Sequence, residues 1–287
     1  MWWSPLVALL SSVALAAPVP IVNEQPTWSP DGKWISYSSN RDGSFSIWKT
    51  DGVHVRRVVR EGYEPAWSPG GRRIAFTIGG GGIALVPAAG GGGRLITRAG
   101  YGSEPSWAPD GRRIAFVRPP QGCADGFAIE TIRPDGTGEE QVSGSSEFEG
   151  FFGPAWSPDG VSVAWVHTDG MFELERGFVR NSTWERFPGT WKRPGRPSWS
   201  PDGRFLVFAD DRTTPTPAYG LPDGFGPMYV LNVRTGDRRR LTGMWGNRPA
   251  WSPGGRRIAF AGEAPGGPTE LYLVDADGSH VLRLTRS

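Results

Sequence analysis

Pro26-Thr27-Trp28-Ser29-Pro30-Asp31-Gly32 is a short phrase that contains its own turn. In Ser29-Pro30-Asp31-Gly32 the proline presets φ at the second turn position, and the glycine accepts a left-handed backbone at the fourth. The phrase recurs as Pro-x-Trp-(Ser/Ala)-Pro-(Asp/Gly)-Gly from Pro26, Pro65, Pro105, Pro154, Pro197 and Pro249. Its tryptophans, Trp28, Trp67, Trp107, Trp156, Trp199 and Trp251, are spaced by 39, 40, 49, 43 and 52 residues. A period of about 40 residues is that of a four-stranded propeller blade. The expected fold is therefore all-β: a six-bladed β-propeller of four-stranded antiparallel blades.

Outward from the phrase, each unit continues with an alternating column. Ile35, Ile74, Ile114, Val163, Leu206 and Ile258 are bulky, and so, two residues on, are Tyr37, Phe76, Phe116, Trp165, Phe208 and Phe260. Between them lie Ser36, Ala75, Ala115, Ala164, Val207 and Ala259. Period two means strand, with one large face and one small face. Radial sheets whose large faces pack on their neighbours' small faces account for that regularity. Third strands are expected over 46–50, 82–87, 127–133, 228–233 and 271–275, with the fourth unit the most divergent. The recurring tryptophans are read as core. Proline before them is tolerable on an innermost strand, which has a free edge toward the channel.

Composition agrees once the repeat is seen. Gly 42 and Pro 27 in 287 residues would suggest disorder, but they punctuate blades, and 14 Trp require packing. Lys+Arg 31 against Asp+Glu 29 leaves a formal +2, no electrostatic footprint for a nucleic acid or an anionic membrane. No nucleic-acid partner is expected. Cys123, the only cysteine, lies in the loop Pro119 to Gly126 and can form no internal disulfide, so an inert thiol is expected.

At the N-terminus an uncharged run from Leu6 to Ala17 ends in Ala14-Leu15-Ala16, the small-x-small pattern of a signal-peptidase site. The expectation is a signal peptide over residues 1–17 and a single propeller domain over 18–287, exported to the periplasm or outside the cell. The run is shorter than the roughly 20 residues a helix needs to span a bilayer, so no membrane span is expected. Whether Val19 to Val22 adds a latch strand is left open.

The phrase, followed by Arg-Arg-Ile-Ala-Phe, by Leu271-Tyr272-Leu273-Val274-Asp275 with Ala276-Asp277-Gly278, and by Arg283-Leu284-Thr285, resembles the TolB-type, WD-like propeller repeat. The resemblance covers Pro26 to Thr285. It implies a periplasmic envelope component, although the same repeat also occurs in propellers attached to peptidases and in polysaccharide lyases. TolB proper carries a small α/β domain ahead of its propeller. Here only Pro18 to Gln25 would precede the first phrase, so a propeller without that domain is expected.

Catalytic chemistry leaves little trace. His54 and His280 follow turn glycines in different units and cannot converge on a metal, while His167 ends a strand with no second histidine in reach. No Gly-x-Ser-x-Gly nucleophile elbow is present. Asp210-Asp211 could hold calcium or simply end a strand. No catalytic residue, metal or cofactor is assigned.

What remains is a surface. Just before the repeat prolines stand Gln25, Glu64, Glu104, Gly153, Arg196 and Arg248, acid in units two and three and base in units five and six. Aromatic residues occupy the same loops, and rings with arginines mark interface hot spots. Tyr63, Glu64, Glu104, Phe152, Arg196, Trp245 and Arg248 are the expected partner-binding residues. The alternative is that the rings plug gaps between blades and the charges pair with one another. The function expected is non-catalytic binding of a protein or peptide by one face of a monomeric propeller. The alternatives are a channel-centred enzyme of the polysaccharide lyase or glycan-processing type, or a structural envelope-assembly part.

Overall fold

The repeat phrase forms an innermost strand and the hairpin turn after it in every unit. The computed structural model describes residues 19–120, 126–144, 150–181, 183–189, 191–210, 225–263 and 268–286. The leader and Cys123 readings, and Asp211, lie outside the described residues. The first sheet runs in chain order through β1 (Asn23–Trp28), β2 (Ile35–Ser39), β3 (Ser46–Thr50) and β4 (Val55–Val59). The second has β5 (Gly62–Trp67), β6 (Arg73–Ile78), β7 (Ile83–Pro87) and β8 (Arg94–Leu95). β9 (Ser103–Trp107), β10 (Ile114–Arg118), β11 (Ala128–Ile132) and β12 (Glu140–Gln141) make the third. The fourth is β13 (Gly150–Trp156), β14 (Ser162–Thr168), β15 (Phe172–Phe178) and β16 (Thr183–Arg186).

The last seven strands form one sheet: β17 (Ser198–Trp199), β18 (Phe205–Ala209), β19 (Gly226–Asn232), β20 (Arg238–Trp251), β21 (Arg257–Glu263), β22 (Thr269–Asp275) and β23 (Leu282–Arg283). β20 pairs with β19 and then with β21, so it ends one four-stranded unit and begins the next. The fold is all-β and antiparallel, with no helix among the described residues, and is consistent with six blades. The four-strand units are called blades one to six below.

The turns behave as the glycines require. Gly32, Gly71, Gly111, Gly160 and Gly255 have φ of 70° and Gly203 of 69°, and each amide donates to the carbonyl three residues back at 2.8 or 2.9 Å. Large-on-small packing then joins neighbouring blades. Ala75 and Leu85 of blade two meet Ile114 and Phe116 of blade three; Ala115 of blade three meets Val163 and Trp165 of blade four. The same pattern closes the ring, because Ile35 and Tyr37 of blade one pack on Ala259, Ala261 and Leu273 of blade six. Asn23 donates across this seam to Glu270 at 3.1 Å. Val22 makes an isolated parallel bridge to Thr269, the only ladder contact of residues 19–22.

One expectation needs correcting. Five of the six repeat tryptophans are only half-buried: each packs against a core cluster, and Trp67, Trp107, Trp156 and Trp251 also line the channel; Trp199 alone of the six is buried, at 8% exposure. The deepest large side chains are the next column over, Tyr37, Phe116, Trp165, Phe208 and Phe260. The innermost strand has no neighbour on its channel side, which leaves most of its tryptophans part-exposed to the channel.

Candidate functional site

The channel cavity, of about 390 Å³, is lined by the six innermost segments. Together they run from Gln25, Glu64, Gly153, Arg196 and Arg248 at one end to Trp67, Trp107, Trp156, Trp199 and Trp251 at the other, so the cavity has a charged end and an indole end.

The charged end begins with a backbone irregularity. Gln25, Glu64, Glu104, Gly153 and Arg248 have φ between 48° and 63°, a left-handed conformation that costs a non-glycine residue energy. In the corresponding blades the ladder between first and second strands shifts register at this place, between Tyr63 and Ala66 and between Phe152 and Ala155 for example. A bulge re-aims the side chain it carries. Here the side chain turns toward the next blade: Gln25 Oε1 accepts from the Glu64 amide at 2.8 Å, Glu64 Oε2 from the Glu104 amide at 2.8 Å, and Glu104 Oε2 from the Gly153 amide at 2.5 Å. The strained positions form a belt linking four blades. Ser38 and Thr77, on the second strands, brace it through bonds to Gln25 (2.6 Å) and Glu64 (2.7 Å).

The belt stops at Gly153, which has no side chain to continue it. A Cβ there would stand 2.7 Å from Cγ of Arg196, so the glycine both accepts the positive φ and lets Arg196 lean inward. Arg196 donates to Glu64 Oε1 at 2.5 Å and also pairs with Glu104, while Arg248 Nη1 lies 3.5 Å from Glu64 Oε1. Burial alone would raise the Glu64 carboxyl, but the Arg196 and Arg248 guanidiniums, with the Thr77 hydroxyl and Glu104 amide, hold it well below the usual carboxylate range. Thus two acids and two bases from blades two, three, five and six meet across one end of the channel.

At the other end the walls alternate. Residue x of the phrase is Thr27, Ala66, Ser106, Ala155, Ser198 and Ala250 in turn. Trp107, Trp199 and Trp28 donate their indole N–H to the carbonyls of Ala66, Ala155 and Ala250 in the preceding blade at 3.1, 3.1 and 3.2 Å. At the alternate seams the Trp156 and Trp251 backbone amides donate to the Ser106 and Ser198 hydroxyls, again of the preceding blade.

The structure brings together four of the expected residues, Glu64, Glu104, Arg196 and Arg248; of these Glu64, Arg196 and Arg248 line the cavity itself. Tyr63 packs on Phe45 with centroids 5.1 Å apart. Phe152 is buried (5% exposed) against Phe127. Trp245, 45% exposed, sits beside Pro227 of β19. None of these three rings lines the cavity; Tyr63 and Phe152 directly precede Glu64 and Gly153 in the chain. Sequence reading passed over Ser38 and Thr77, and it named Gly153 without giving it a role. Their signal was available: polar residues in a column otherwise apolar, and a glycine among charges.

The histidines are engaged locally. His54 and His280, both exposed, bond Asp51 and Asp275 at 2.9 Å. Buried His167 bonds Glu175 at 3.1 Å and stacks on Phe151. Asp210 accepts from the amides of Lys192 and Arg193, which is a structural use of that carboxylate. Among the described residues no three His, Cys, Asp or Glu side chains are grouped to hold a metal, and no helix is long and apolar enough to cross a membrane.

Residues 17–148 match the TolB beta propeller domain family. The structure of TolB from Acinetobacter baumannii superposes with a TM-score of 0.68 at 19% identity, covering 92% of this chain and 62% of that one. Oligogalacturonate lyase from Vibrio parahaemolyticus superposes at 0.58 with 13% identity over 90% of this chain and 92% of that one, a likeness of fold alone. In sequence, 116 residues are 30% identical to the uncharacterized peptidase YuxL of Bacillus subtilis, 37% of this chain and 16% of that protein. The chain thus spans about a sixth of that relative's length.

Proposed function

We propose, on the premise that this chain is a TolB-type propeller, that it is an exported, non-catalytic binding protein recognising a protein or peptide at the charged end of its channel. Residues 1–17 act as its signal peptide and 18–287 as the mature, monomeric propeller. The observation that carries the reading is the belt: strained, non-glycine backbone at Gln25, Glu64, Glu104 and Arg248 persists where surrounding structure over-determines it, and such strain gathers at functional surfaces. With Glu64 and Glu104 already bonded to Arg196 and to backbone amides, these carboxylates are suited to holding a shape rather than shuttling protons. On this reading Trp245, exposed, is the aromatic anchor, Tyr63 precedes Glu64 in the chain, and buried Phe152 supports the mouth from within.

A photo-crosslinking residue placed at Trp245, in protein secreted by its native host, should give a discrete adduct. The same residue at His280, beside the turns of the opposite face, should give none. Adducts only from His280 would put the binding face at the other end, and turnover of an oligogalacturonate would remove the non-catalytic part of the proposal.

A further inference from the structure

Away from the channel, a groove of about 610 Å³ between blades two and three is lined by Arg73, Arg94, Arg112, Arg113, Arg133 and Asp135, with Pro134. None of these residues lines the channel cavity. Five guanidiniums of one sign in a groove are unexpected in a chain whose formal net charge is +2.

The corresponding groove between blades five and six shows what the scaffold alone provides. It holds a single arginine, Arg239, two carboxylates, Asp202 and Asp277, and Phe205 at the position of Arg73. Between blades one and two that position is Trp34, with Asp31 and Lys49 beside it. Arg94 and Arg239 do the same structural work, each capping the carbonyls of the next blade's Asp-Gly turn; Arg94 Nη2 reaches Pro134 O at 2.5 Å. The other four arginines are additions to that frame.

Their partners leave the groove positive. Arg113 is held by Glu140 at 2.9 Å and Thr131 at 2.7 Å. Arg133 bonds Thr137 at 2.8 Å and lies over Gly138, where a Cβ would come within 2.7 Å of its guanidinium carbon. Asp135, the groove's acid, is turned to its own hairpin by the Thr137 amide and hydroxyl. Arg73 and Arg112 are exposed, and neither side chain makes a hydrogen bond or ion pair among the described residues. The cause at Arg73 lies in the ladder. In blade six Arg257 stands across from Asp275 and pairs with it, whereas in blade two Arg73 stands across from Pro87, which offers no charge.

We propose that this groove binds a ligand carrying phosphate groups, with Arg73 and Arg112 as its principal donors and Arg113 and Arg133 as pre-oriented flanking charges. A carboxylate is satisfied by one guanidinium fork, whereas a phosphate chain presents oxygens in several directions and suits several forks at once. Arg73 and Arg112 have no carboxylate to give up on meeting such a ligand, and they gain charge-assisted bonds that offset the water they shed.

Calorimetric titration of the parent protein with sodium tripolyphosphate at low ionic strength tests this. Saturable binding is expected, weakened at least about tenfold in Arg73→Glu/Arg112→Glu and changed less than about twofold in the control Arg256→Glu, which lies in blade six. Should the reversed pair fail to fold, Arg73→Gln/Arg112→Gln carries the same comparison. Absence of saturable binding by the parent, or equal loss in Arg256→Glu, overturns the site. Competition by vesicles containing phosphatidylglycerol, but not by phosphatidylcholine alone, assigns the phosphate to a lipid headgroup; tripolyphosphate binding without vesicle competition assigns it to a soluble phosphate ester. The channel mouth plays no part in these readouts, so the groove and the proposed function stand or fall separately.

Discussion

At the charged end of the channel two acids and two arginines meet and neutralise one another; between blades two and three, five arginines face one engaged acid. Both sets ride on the same blade scaffold, yet the first is buried and the second largely exposed. The difference is what surrounds each charge. In the channel, the left-handed backbone at Glu64 and Glu104 turns their side chains toward neighbouring blades, so both carboxylates meet an amide and a guanidinium. In the groove, arginines sit at strand ends and beside turns, where a cross-strand partner is either acidic or absent.

If that contrast is right, removing one channel charge should be costly. Glu64→Ala leaves Arg196 and Arg248 without their shared partner in a site where both are mostly buried, and a loss of about 3 to 5 kcal/mol is expected from denaturant unfolding. A midpoint equal to the parent's would mean the pairing does not support the fold. Gly153→Ala comes next. Its added Cβ meets Arg196, and its φ of 63° suits glycine, so about 1 to 3 kcal/mol should be lost. An unchanged Tm would show that Arg196 needs no such room.

Acid sharpens the comparison further. The Glu64 carboxyl is depressed in the folded protein relative to an unfolded value of about 4.3, so between those two values the unfolded chain binds more protons. The stability it contributes is complete above about pH 4.3 and declines as pH falls toward the folded value. Unfolding measured from pH 6 down to about pH 3 should therefore show a shallower decline in Glu64→Gln than in the parent. Parallel curves would remove Glu64 as the titrating group. The smallest effect belongs to the groove: Arg73→Ala, exposed and unpaired, should shift stability by less than about 0.5 kcal/mol.

The antiparallel four-strand units were legible because one local requirement, a proline-glycine turn after a tryptophan, recurs every 39 to 52 residues. Third strands placed at 46–50 and 82–87 appear at Ser46–Thr50 and Ile83–Pro87. The tryptophans were read as more deeply buried than they are, because recurrence signals a constraint without saying which; here they pack against the core on one side, and Trp28, Trp107 and Trp199 also make an interblade hydrogen bond. At the site, the charges before the prolines were visible and their mutual pairing was the alternative reading; which charge meets which was not legible. Arg196 and Glu64 are 132 residues apart in the chain, and only ring closure brings them within a bond of one another. The arginine groove escaped for a related reason: a net charge sums over the chain, whereas a ligand meets only the few groups that the blades place side by side.

The most direct test is a double-mutant cycle on Glu64 and Arg196, using Glu64→Gln, Arg196→Gln and the pair, with unfolding free energies measured at neutral pH. The channel charges are held here to be committed to one another, which predicts a coupling of about 1 to 3 kcal/mol. Additive losses, with no coupling beyond error, would contradict that claim and return the two residues to the pool of independent surface charges.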